Sequence, residues 1–439
     1  MIFLIVIFAL TLLAFGFEMF LVLGVPALIV KEIFFSNIPD TVIIQKMVGG
    51  INHSTLLAIP FFIIAAEIMS SGEIARRLTN FIKACFGHFT GGLGHTTIGS
   101  AMAFGSVSGS AAATVAAIGK LMYPDLKKAG FSEKFSLGLI VSSAETAILI
   151  PPSITMIIYG WMTGTSITSL FAGGLAVGIF LGLAFAILVV FESRKNKIVS
   201  NIKREKGAIL VKFMQAKWAL GMPAIILGGI YSGFFTPTEA AAISVIYALL
   251  VESFIYKNLN WPNFFKIIER GAISSSVIFI LLAMGSVLSF FITIVQVPDI
   301  LKDFLINIDA GMITFLLVVN IAFFLAGMFI DPNSALLILV PPLFPVAVSL
   351  GIDPIHFGLI VTLNIGIGMI TPPFGLDIFV ASSTLNKPVI TIISGIWPFL
   401  LVNVLVLLII TYVPEISTFL PNLTRTYLLV KYYRKLRLN

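Results

Sequence analysis

The chain has 439 residues, of which 58% are hydrophobic and 11% are charged, and its mean hydropathy is +1.08. A soluble protein of this length needs more polar surface, so the composition excludes an ordinary soluble enzyme and a disordered chain. The apolar runs are continuous rather than alternating, which predicts an all-α, polytopic membrane protein. In such a protein the formal net charge of +7 reports topology and contact with the lipid membrane, not nucleic-acid binding.

The first apolar segment runs from Met1 to Phe20 without a preceding basic region or a small-residue cleavage site. We therefore expect it to be the first membrane helix and not a cleaved signal. Further along, Arg76, Arg77 and Lys83 fall on an amphipathic stretch at 73–85. This pattern predicts a helix that lies at the cytoplasmic interface.

Two long apolar stretches are interrupted by short polar runs. The stretch 91–123 is broken at residues 105–110, and the stretch 311–345 is broken at residues 331–334. Each arm of the first stretch is then about 15 residues long, which is shorter than the roughly 20 residues that a spanning helix needs. Both stretches are predicted to be re-entrant helical hairpins whose polar tips are buried or line a cavity.

Two further apolar stretches contain proline pairs. Pro151-Pro152 lies inside 136–170, and Pro372-Pro373 lies inside 355–385. Proline lacks an N–H and disfavours helical geometry in the residue before it, so carbonyl groups one turn earlier lose their partners. Each stretch is therefore predicted to be a helix broken near its middle.

These features occur twice along the chain. Tyr123-Pro124 matches Phe344-Pro345, and the two proline pairs match each other, at the same shift of 221 residues. The repeat predicts two homologous halves joined by a basic linker and followed by a tail. The predicted boundaries are 1–193 for the first half, 194–217 for the linker, 218–413 for the second half and 414–439 for the tail.

The basic residues indicate how the halves are oriented. If each half makes an odd number of crossings, the second half is inverted relative to the first. With the linker in the cytoplasm, 19 of the 27 basic residues fall on the inner side, as the positive-inside rule requires. The basic residues that follow Thr424 do not fit this arrangement.

Inverted halves with broken helices and converging hairpin tips are typical of secondary transporters. Freed carbonyls near the proline pairs can replace the water shell of Na⁺. Helices that start at Ser110 and Asp331 would direct partial positive charge at a substrate carboxylate. The small residues around Ser110 would otherwise serve only close helix packing, and Asp331 has a second role open to it as a plain N-cap. Thr236 and Glu239 predict a structural capping box.

Four acidic residues lie in apolar segments and are functional candidates for that reason. They are Glu18, Glu67, Glu145 and Asp377. Glu145 precedes the first proline pair by six residues. A role in a proton relay or an ion site competes there with a buried hydrogen bond between helices.

Five motifs in order resemble one known family. They are GSVSGSAAATVAAIG, LIPPSITMIIYG, GGIYSGFFTPTEAAA, GMFIDPNSALLILVPP and GMITPPFGLDIFV. They resemble the large membrane subunit of tripartite ATP-independent periplasmic (TRAP) transporters of the DctM/SiaM type, over essentially residues 1–423. The resemblance implies Na⁺-driven uptake of a small organic acid across the inner membrane by an elevator-type motion. It also implies two partners, a small four-helix membrane subunit and a periplasmic substrate-binding protein.

The resemblance also implies site residues. The first sodium site would comprise Gly105, Ser108, Ala147, Ile150 and Pro152. The second sodium site would comprise Gly327, Gly368, Thr371 and Phe374. The substrate would contact Ser108, Ser110, Ser153 and Asp331.

One position departs from the family pattern. Sialic-acid members carry an arginine near the position of Ile294, whereas residues 291–296 contain no cation here. Carboxylate binding would then rest on helix dipoles and hydroxyls, and a dicarboxylate or another small organic acid stays open as the substrate.

Other functions remain as competitors. Gly119-Lys120 lacks the glycine spacing of a P-loop, so ATP hydrolysis is not expected. An ion channel would need a continuous polar pore with rings of charge. An intramembrane enzyme would need a nucleophile motif or a metal ligand set, so we do not expect an enzyme. A proton-driven transporter of the same fold, with Glu145 or Asp331 titrating, is the main alternative.

Overall fold

A computed structural model describes residues 1–70, 73–198, 207–308 and 311–424, and its helices are as follows. Before residues 199–206 the helices are α1 (Ile2–Ala14), α2 (Met19–Phe34), α3 (Asp40–Ile51), α4 (Ala58–Ser70), α5 (Glu73–Phe86), α6 (Gly92–Ser108), α7 (Ala111–Lys128), α8 (Glu133–Ala144), α9 (Thr146–Leu149), α10 (Ile154–Thr163) and α11 (Ile167–Lys195). After them the helices are α12 (Ala208–Tyr231), α13 (Pro237–Leu250), α14 (Trp261–Ile294), α15 (Val297–Asn307), α16 (Met312–Phe329), α17 (Pro332–Ser349), α18 (Pro354–Met369), α19 (Leu376–Leu385) and α20 (Val389–Tyr412). The helix α12 thus begins inside the predicted linker 194–217. Residues 414–424 are also helical.

The prediction of an all-α polytopic membrane protein is confirmed. Within the described ranges, eight helices are long and apolar enough to cross a membrane, or nine if the pair Asp40–Ile51 and Ser54–Met69, bent by 56°, forms one span. Among them, α14 is 34 residues long. Parts of the predicted linker and tail, residues 199–206 and 425–439, lie outside the described residues.

The predicted single first helix from Met1 to Phe20 is wrong. The helix α1 ends at Ala14, and α2 begins at Met19. Gly16 adopts a left-handed backbone with φ of +74°, which a helix does not continue through. At 13 residues, α1 is about 20 Å long, which is short of the roughly 30 Å hydrocarbon core.

Both predicted helix pairs with polar tips are present, and the arms of the first pair are longer than the predicted 15 residues or so. The arms of the first pair have 17 and 18 residues, because only Gly109 and Ser110 separate α6 from α7. The second arms continue past the predicted ends at 123 and 345. Pro124 and Pro345 stay inside α7 and α17, as membrane helices allow where neighbouring helices satisfy the freed carbonyls.

Both predicted helix breaks are also present. The chain leaves helical geometry between α9 and α10, where Ile150 is extended with ψ of 125°. It does so again at residues 370–375, between α18 and α19. The Pro151-Pro152 and Pro372-Pro373 peptide bonds are both cis.

The helices pack as two groups that meet along α4, α5 and α14. In one group α8 packs on α20, α16 on α18, and α7 on α19. In the other, α13 packs on α4, α12 on α5, and α14 on α2 and α3. The two groups touch where α6 meets α5 and α4 and where α17 meets α14. The inverted orientation of the two halves stays a prediction.

The amphipathic stretch at 73–85 forms α5, as predicted. Its charged side chains pair locally and with the first hairpin. Arg76 lies 2.7 Å from Glu73, and Lys83 lies 2.6 Å from Asp125.

Another ion pair lies on the loop after α19, where the Lys387 ammonium is 2.7 Å from the Glu133 carboxylate. The hydrogen bond to that carboxylate raises the pKa of Lys387.

Candidate functional site

The tip of the first hairpin is built by one glycine and three hydroxyl side chains. Gly109 has φ of +60° and ends α6, with its N–H donating to the Gly105 carbonyl at 2.8 Å. Ser110 caps α7, because its Oγ accepts a hydrogen bond from the Ala113 N–H at 3.3 Å. The Ser108 Oγ lies 3.2 Å from the Thr114 Oγ1. The N–H groups of the first residues of α7 therefore face the tip with partial positive charge.

Asp331 builds the tip of the second hairpin. Its carboxylate caps α17 by accepting hydrogen bonds from the N–H groups of Asn333 at 3.0 Å and Ser334 at 3.2 Å. The Ser334 hydroxyl donates to its second oxygen. With Pro332 as the first helical residue, this is the N-cap geometry that the sequence allowed.

The first hairpin touches the first helix break with almost no space between backbones. A Cβ atom added to Gly105 would lie 2.7 Å from the Ala147 Cα. A Cβ atom on Gly109 would lie 2.7 Å from the Pro152 carbonyl oxygen. The predicted sodium-site residues Gly105, Ala147 and Pro152 are thus brought to one contact between α6 and the break.

The second hairpin touches the second break in the same way. A Cβ atom on Gly368 would lie 2.5 Å from the Gly327 Cα. Phe374 in the break packs against Phe329 of the second hairpin, with ring centroids 5.8 Å apart and the rings tilted by 54°. The buried Thr371 donates its hydroxyl to the Ile367 carbonyl at 2.6 Å.

The first break leaves one main-chain oxygen without its helical donor, whereas at the second break the Gly368 carbonyl accepts a hydrogen bond from the Thr371 N–H at 3.0 Å. Pro151 has no N–H, so the Ala147 carbonyl cannot receive the hydrogen bond that a continuous helix would supply. Among the described residues no group of three or more His, Cys, Asp or Glu side chains could hold a metal ion. A cation here would therefore be held mainly by main-chain and hydroxyl oxygens, which are ligands of the kind that hard cations take.

The two tips face a common cavity of about 310 Å³ at the boundary between the helix groups. Its wall contains Ser108, Ser110 and Asp331 from the hairpins. Glu67 on α4 and Ser274 on α14 complete its polar lining from the other group. Three of the four predicted substrate residues are thus assembled around one space.

Ser153 is the predicted substrate residue that does not line this cavity. Its side chain is fully buried, and its Oγ accepts a hydrogen bond from the Met156 N–H at 3.4 Å, which caps α10. The neighbouring residues Ile154 and Thr155 line the cavity instead.

Sequence reasoning missed the contributions of Thr155, Ser274 and Asn333 to the cavity wall. The run Ser274-Ser275-Ser276 inside the apolar helix α14 was the signal available for the second of these, because hydroxyl runs in membrane helices often face a partner or a cavity. Glu67 had been singled out only as one of four intramembrane acids.

Glu145 and Asp377 form a second polar centre inside the helix group that contains α8 and α20. Both are at most 1% exposed. The Glu145 carboxyl faces the Asn403 amide of α20 and lies near the Asp377 carboxyl, but none of these three side chains completes a hydrogen bond. The predicted capping box is separate from both centres and is confirmed, since Thr236 and Glu239 exchange hydrogen bonds of 2.8 and 3.2 Å.

Comparison with known proteins decides the family. Residues 4–416 match the model of the family described as "Tripartite ATP-independent periplasmic transporter, DctM component". The chain belongs to the DctM family. It is therefore a multi-pass inner-membrane permease subunit and not an enzyme.

Individual proteins agree with this assignment. The chain is 39% identical to the ectoine TRAP transporter large permease protein TeaC of Halomonas elongata, over 94% of this chain and 97% of the relative. It is 38% identical to the C4-dicarboxylate TRAP transporter large permease protein DctM of Pseudomonas aeruginosa, over 88% and 90%. The solved YdaH transporter of Alcanivorax borkumensis shares the fold at a TM-score of 0.58 and 13% identity, over 87% of each chain.

Proposed function

We propose that this DctM-family permease imports a small carboxylate-bearing molecule together with Na⁺. The observation that carries the proposal is the matched backbone contact at both tips, between Gly105 and Ala147 and between Gly327 and Gly368. Each contact joins a hairpin to a helix break whose carbonyls can bind a cation. Both contacts adjoin the cavity in which the substrate would lie.

The cations would hold the tips closed. In this proposal Ser108, Ile150 and Pro152 supply oxygens at the first site, and Thr371 and Phe374 supply oxygens at the second. A bound cation would favour the docked position of each hairpin over an open one, because it binds only the docked arrangement. A substrate-loaded block without sodium would then be disfavoured, which couples the two fluxes.

The position of the cavity supports an elevator-type motion. Its wall is shared between the hairpin tips and the helices α4 and α14 of the other group. We propose that α4 and α14 belong to a fixed scaffold and that the hairpins move with the broken helices as one block. A substrate bound at this boundary would be carried past the scaffold when the block moves.

The family description places the chain in a tripartite system. We propose that a small membrane subunit and a periplasmic substrate-binding protein complete it. The relatives TeaC and DctM are named for ectoine and for C4-dicarboxylates, so the proposed substrates share a carboxylate and differ in their remaining charge.

Reconstitution in proteoliposomes tests the coupling. Proteoliposomes that contain the chain and its partners are given labelled candidate substrate on the outside. Uptake is measured under an inward Na⁺ gradient, and then under a proton gradient without Na⁺. We expect uptake only in the first condition. Uptake that ignores sodium and follows the proton gradient would support the competing proton-coupled mechanism and remove the sodium assignment.

A further inference from the structure

We infer that Arg77 is a positioning residue for transport, because it fastens the interface helix α5 to the scaffold group, which contains α4 and α12–α14. The inference rests on the proposed function and adds the side chain that holds one side of the moving boundary in place. Helix α5 packs both on α12 of the scaffold group and on α6 of the first hairpin. Packing alone therefore does not decide which of the two groups α5 follows when the block moves.

The Arg77 guanidinium contacts the scaffold group in two ways. One of its N–H groups donates to the Gln215 carbonyl of α12 at 3.1 Å. Its central carbon lies over the Tyr256 ring, 4.4 Å from the ring centroid. The fully buried Glu252 carboxyl, in the short turn after α13, faces the same guanidinium. A guanidinium can donate along its edge while its face covers an aromatic ring, so an arginine suits this position.

The neighbouring Arg76 is attached differently. Within the part of the chain that the structure describes, its hydrogen bonds stay inside α5, where its Nε and one terminal N–H group donate to the Glu73 carboxylate at 2.8 and 2.7 Å. Its side chain is 63% exposed, whereas that of Arg77 is 32% exposed. Two adjacent arginines on α5 thus differ in whether they bind the scaffold group, which makes Arg76 the matched control for Arg77.

Another face of α5 is attached to the first hairpin. Lys83 follows Arg77 by six residues, which places the two side chains about 120° apart around the helix. The Lys83 ammonium lies 2.6 Å from the Asp125 carboxylate on α7, and both side chains are about one-third exposed. A single ion pair with this exposure contributes little stability. If Arg77 holds α5 on the scaffold group, the Lys83–Asp125 pair is the contact that parts when the block moves.

Cross-linking of that pair tests which group α5 follows. In a Cys85→Ser background, Lys83→Cys and Asp125→Cys are joined by a short bis-thiosulfonate reagent that dithiothreitol cleaves. Uptake of labelled ectoine and of labelled succinate is then measured in proteoliposomes that contain the chain and its partners. We expect the cross-link to lower uptake at least tenfold and its cleavage to restore uptake. Undiminished uptake by the cross-linked chain would show that α5 travels with the block and would overturn the inference.

Removal of the proposed attachment gives a sharper test. Arg77→Gln, added to the cysteine pair, should release α5 to move with the block, so the cross-linked chain should keep at least one third of the uptake it had before cross-linking. Arg76→Gln, added to the same pair, should leave the cross-linked chain blocked. A variant that merely misfolds cannot produce such a recovery. An equal block in both variants would show that Arg77 does not fasten α5.

A spectroscopic measurement separates this inference from the proposed function, because it needs neither substrate nor sodium. Spin labels at two exposed positions, Asn80→Cys in α5 and Lys217→Cys in α12, report the distance between these helices in nanodiscs by double electron–electron resonance. We expect one narrow distance distribution with Arg77 or with Arg76→Gln, and a broad one with Arg77→Gln. An unchanged distribution in Arg77→Gln would overturn the inference even where uptake is driven by sodium. A broadened distribution together with sodium-independent uptake would support the inference and overturn the coupling.

A label pair inside the scaffold group checks that the variants fold. Lys217→Cys in α12 and Lys266→Cys in α14, which are both exposed positions, should give the same narrow distribution with Arg77, Arg76→Gln and Arg77→Gln. Broadening of this pair in Arg77→Gln would show that the substitution disturbs the scaffold itself, and it would overturn a role confined to fastening α5.

Discussion

Gly368 in the second broken helix lies against Gly327 in the second hairpin with no room for a side chain between them. A Cβ atom on Gly368 would stand 2.5 Å from both the Cα and the carbonyl carbon of Gly327. The first half contains the corresponding contact, in which Gly105 meets Ala147. Close backbone contact at both sites is what a cation held by main-chain oxygens from two segments requires.

We expect Gly368→Ala to reduce sodium-driven uptake at least tenfold. The added methyl group meets main-chain atoms, which cannot move aside as a flexible side chain can, so α16 would have to separate from α18. Sodium-dependent uptake in proteoliposomes measures the effect, and the sodium concentration for half-maximal uptake should rise.

The control for this variant is Gly228→Ala in α12. A Cβ atom on Gly228 meets no atom within 4 Å. Replacing a glycine within a helix by alanine stabilises the helix by about 0.5–1 kcal/mol, so this variant should fold well and transport normally. Normal uptake by Gly368→Ala would show that the contact has no part in coupling.

Asp331 and Asp353 allow the capping role to be separated from the transport role. Both cap a helix that begins with proline, and Asp353 accepts hydrogen bonds from the N–H groups of Ile355 at 2.8 Å and His356 at 3.1 Å. Each alanine variant should lose about 1 kcal/mol of stability through the lost cap. Only Asp331→Ala should also lose uptake, by tenfold or more, because only Asp331 lines the cavity between the tips.

Asp331→Asn completes this comparison. Asparagine is as good an N-cap as aspartate, so this variant should recover the stability that Asp331→Ala loses. Uptake should stay low, because the negative charge is absent. Equal uptake by Asp331→Ala and Asp353→Ala, measured in the same vesicles, would reduce Asp331 to a cap.

Local signals in the sequence predicted the helix breaks. The contacts between residues that are distant along the chain could not be predicted from such signals. The proline pairs at 151–152 and 372–373 and the Asp331-Pro332 cap act through their own backbone, so their effects can be read from a few residues. The predicted break at residues 105–110 is wider than the turn in the structure. Gly105 is still helical and contacts Ala147, and the turn is made at Gly109.

The same limit applies to side chains that meet across the chain. Glu67 could be recognised as an intramembrane acid, but its place in the same cavity wall as Asp331 depends on how α4 packs against α6 and α14. The family resemblance implied that Ser153 contacts the substrate, whereas its buried Oγ accepts the hydrogen bond that caps α10. Such outcomes depend on tertiary packing, which no local pattern encodes.

A buried amide network joins three helices of the block. The Asn364 Nδ2 donates to the Asn320 Oδ1 at 2.8 Å, and the Asn320 Nδ2 donates to the Thr411 Oγ1 at 3.0 Å. Asn320→Ala should destabilise the protein by about 1–3 kcal/mol, because buried polar partners lose a hydrogen bond. A cycle with Thr411→Val should give a coupling energy of about 1 kcal/mol. Additive effects in chemical unfolding would mean that the bond contributes nothing.

Glu145 offers a stability prediction of the opposite sign. Its carboxyl is 1% exposed and completes no hydrogen bond, although the Asn403 amide faces it. A glutamine side chain has the same shape, carries no charge, and can both donate to and accept from that amide. Glu145→Gln should therefore stabilise the folded state by about 1 kcal/mol, as measured by unfolding in mixed micelles. The gain should vanish in an Asn403→Ala background, which removes the new partner. A loss of stability in Glu145→Gln would instead show that the carboxylate itself holds a cation or a donor in the native state.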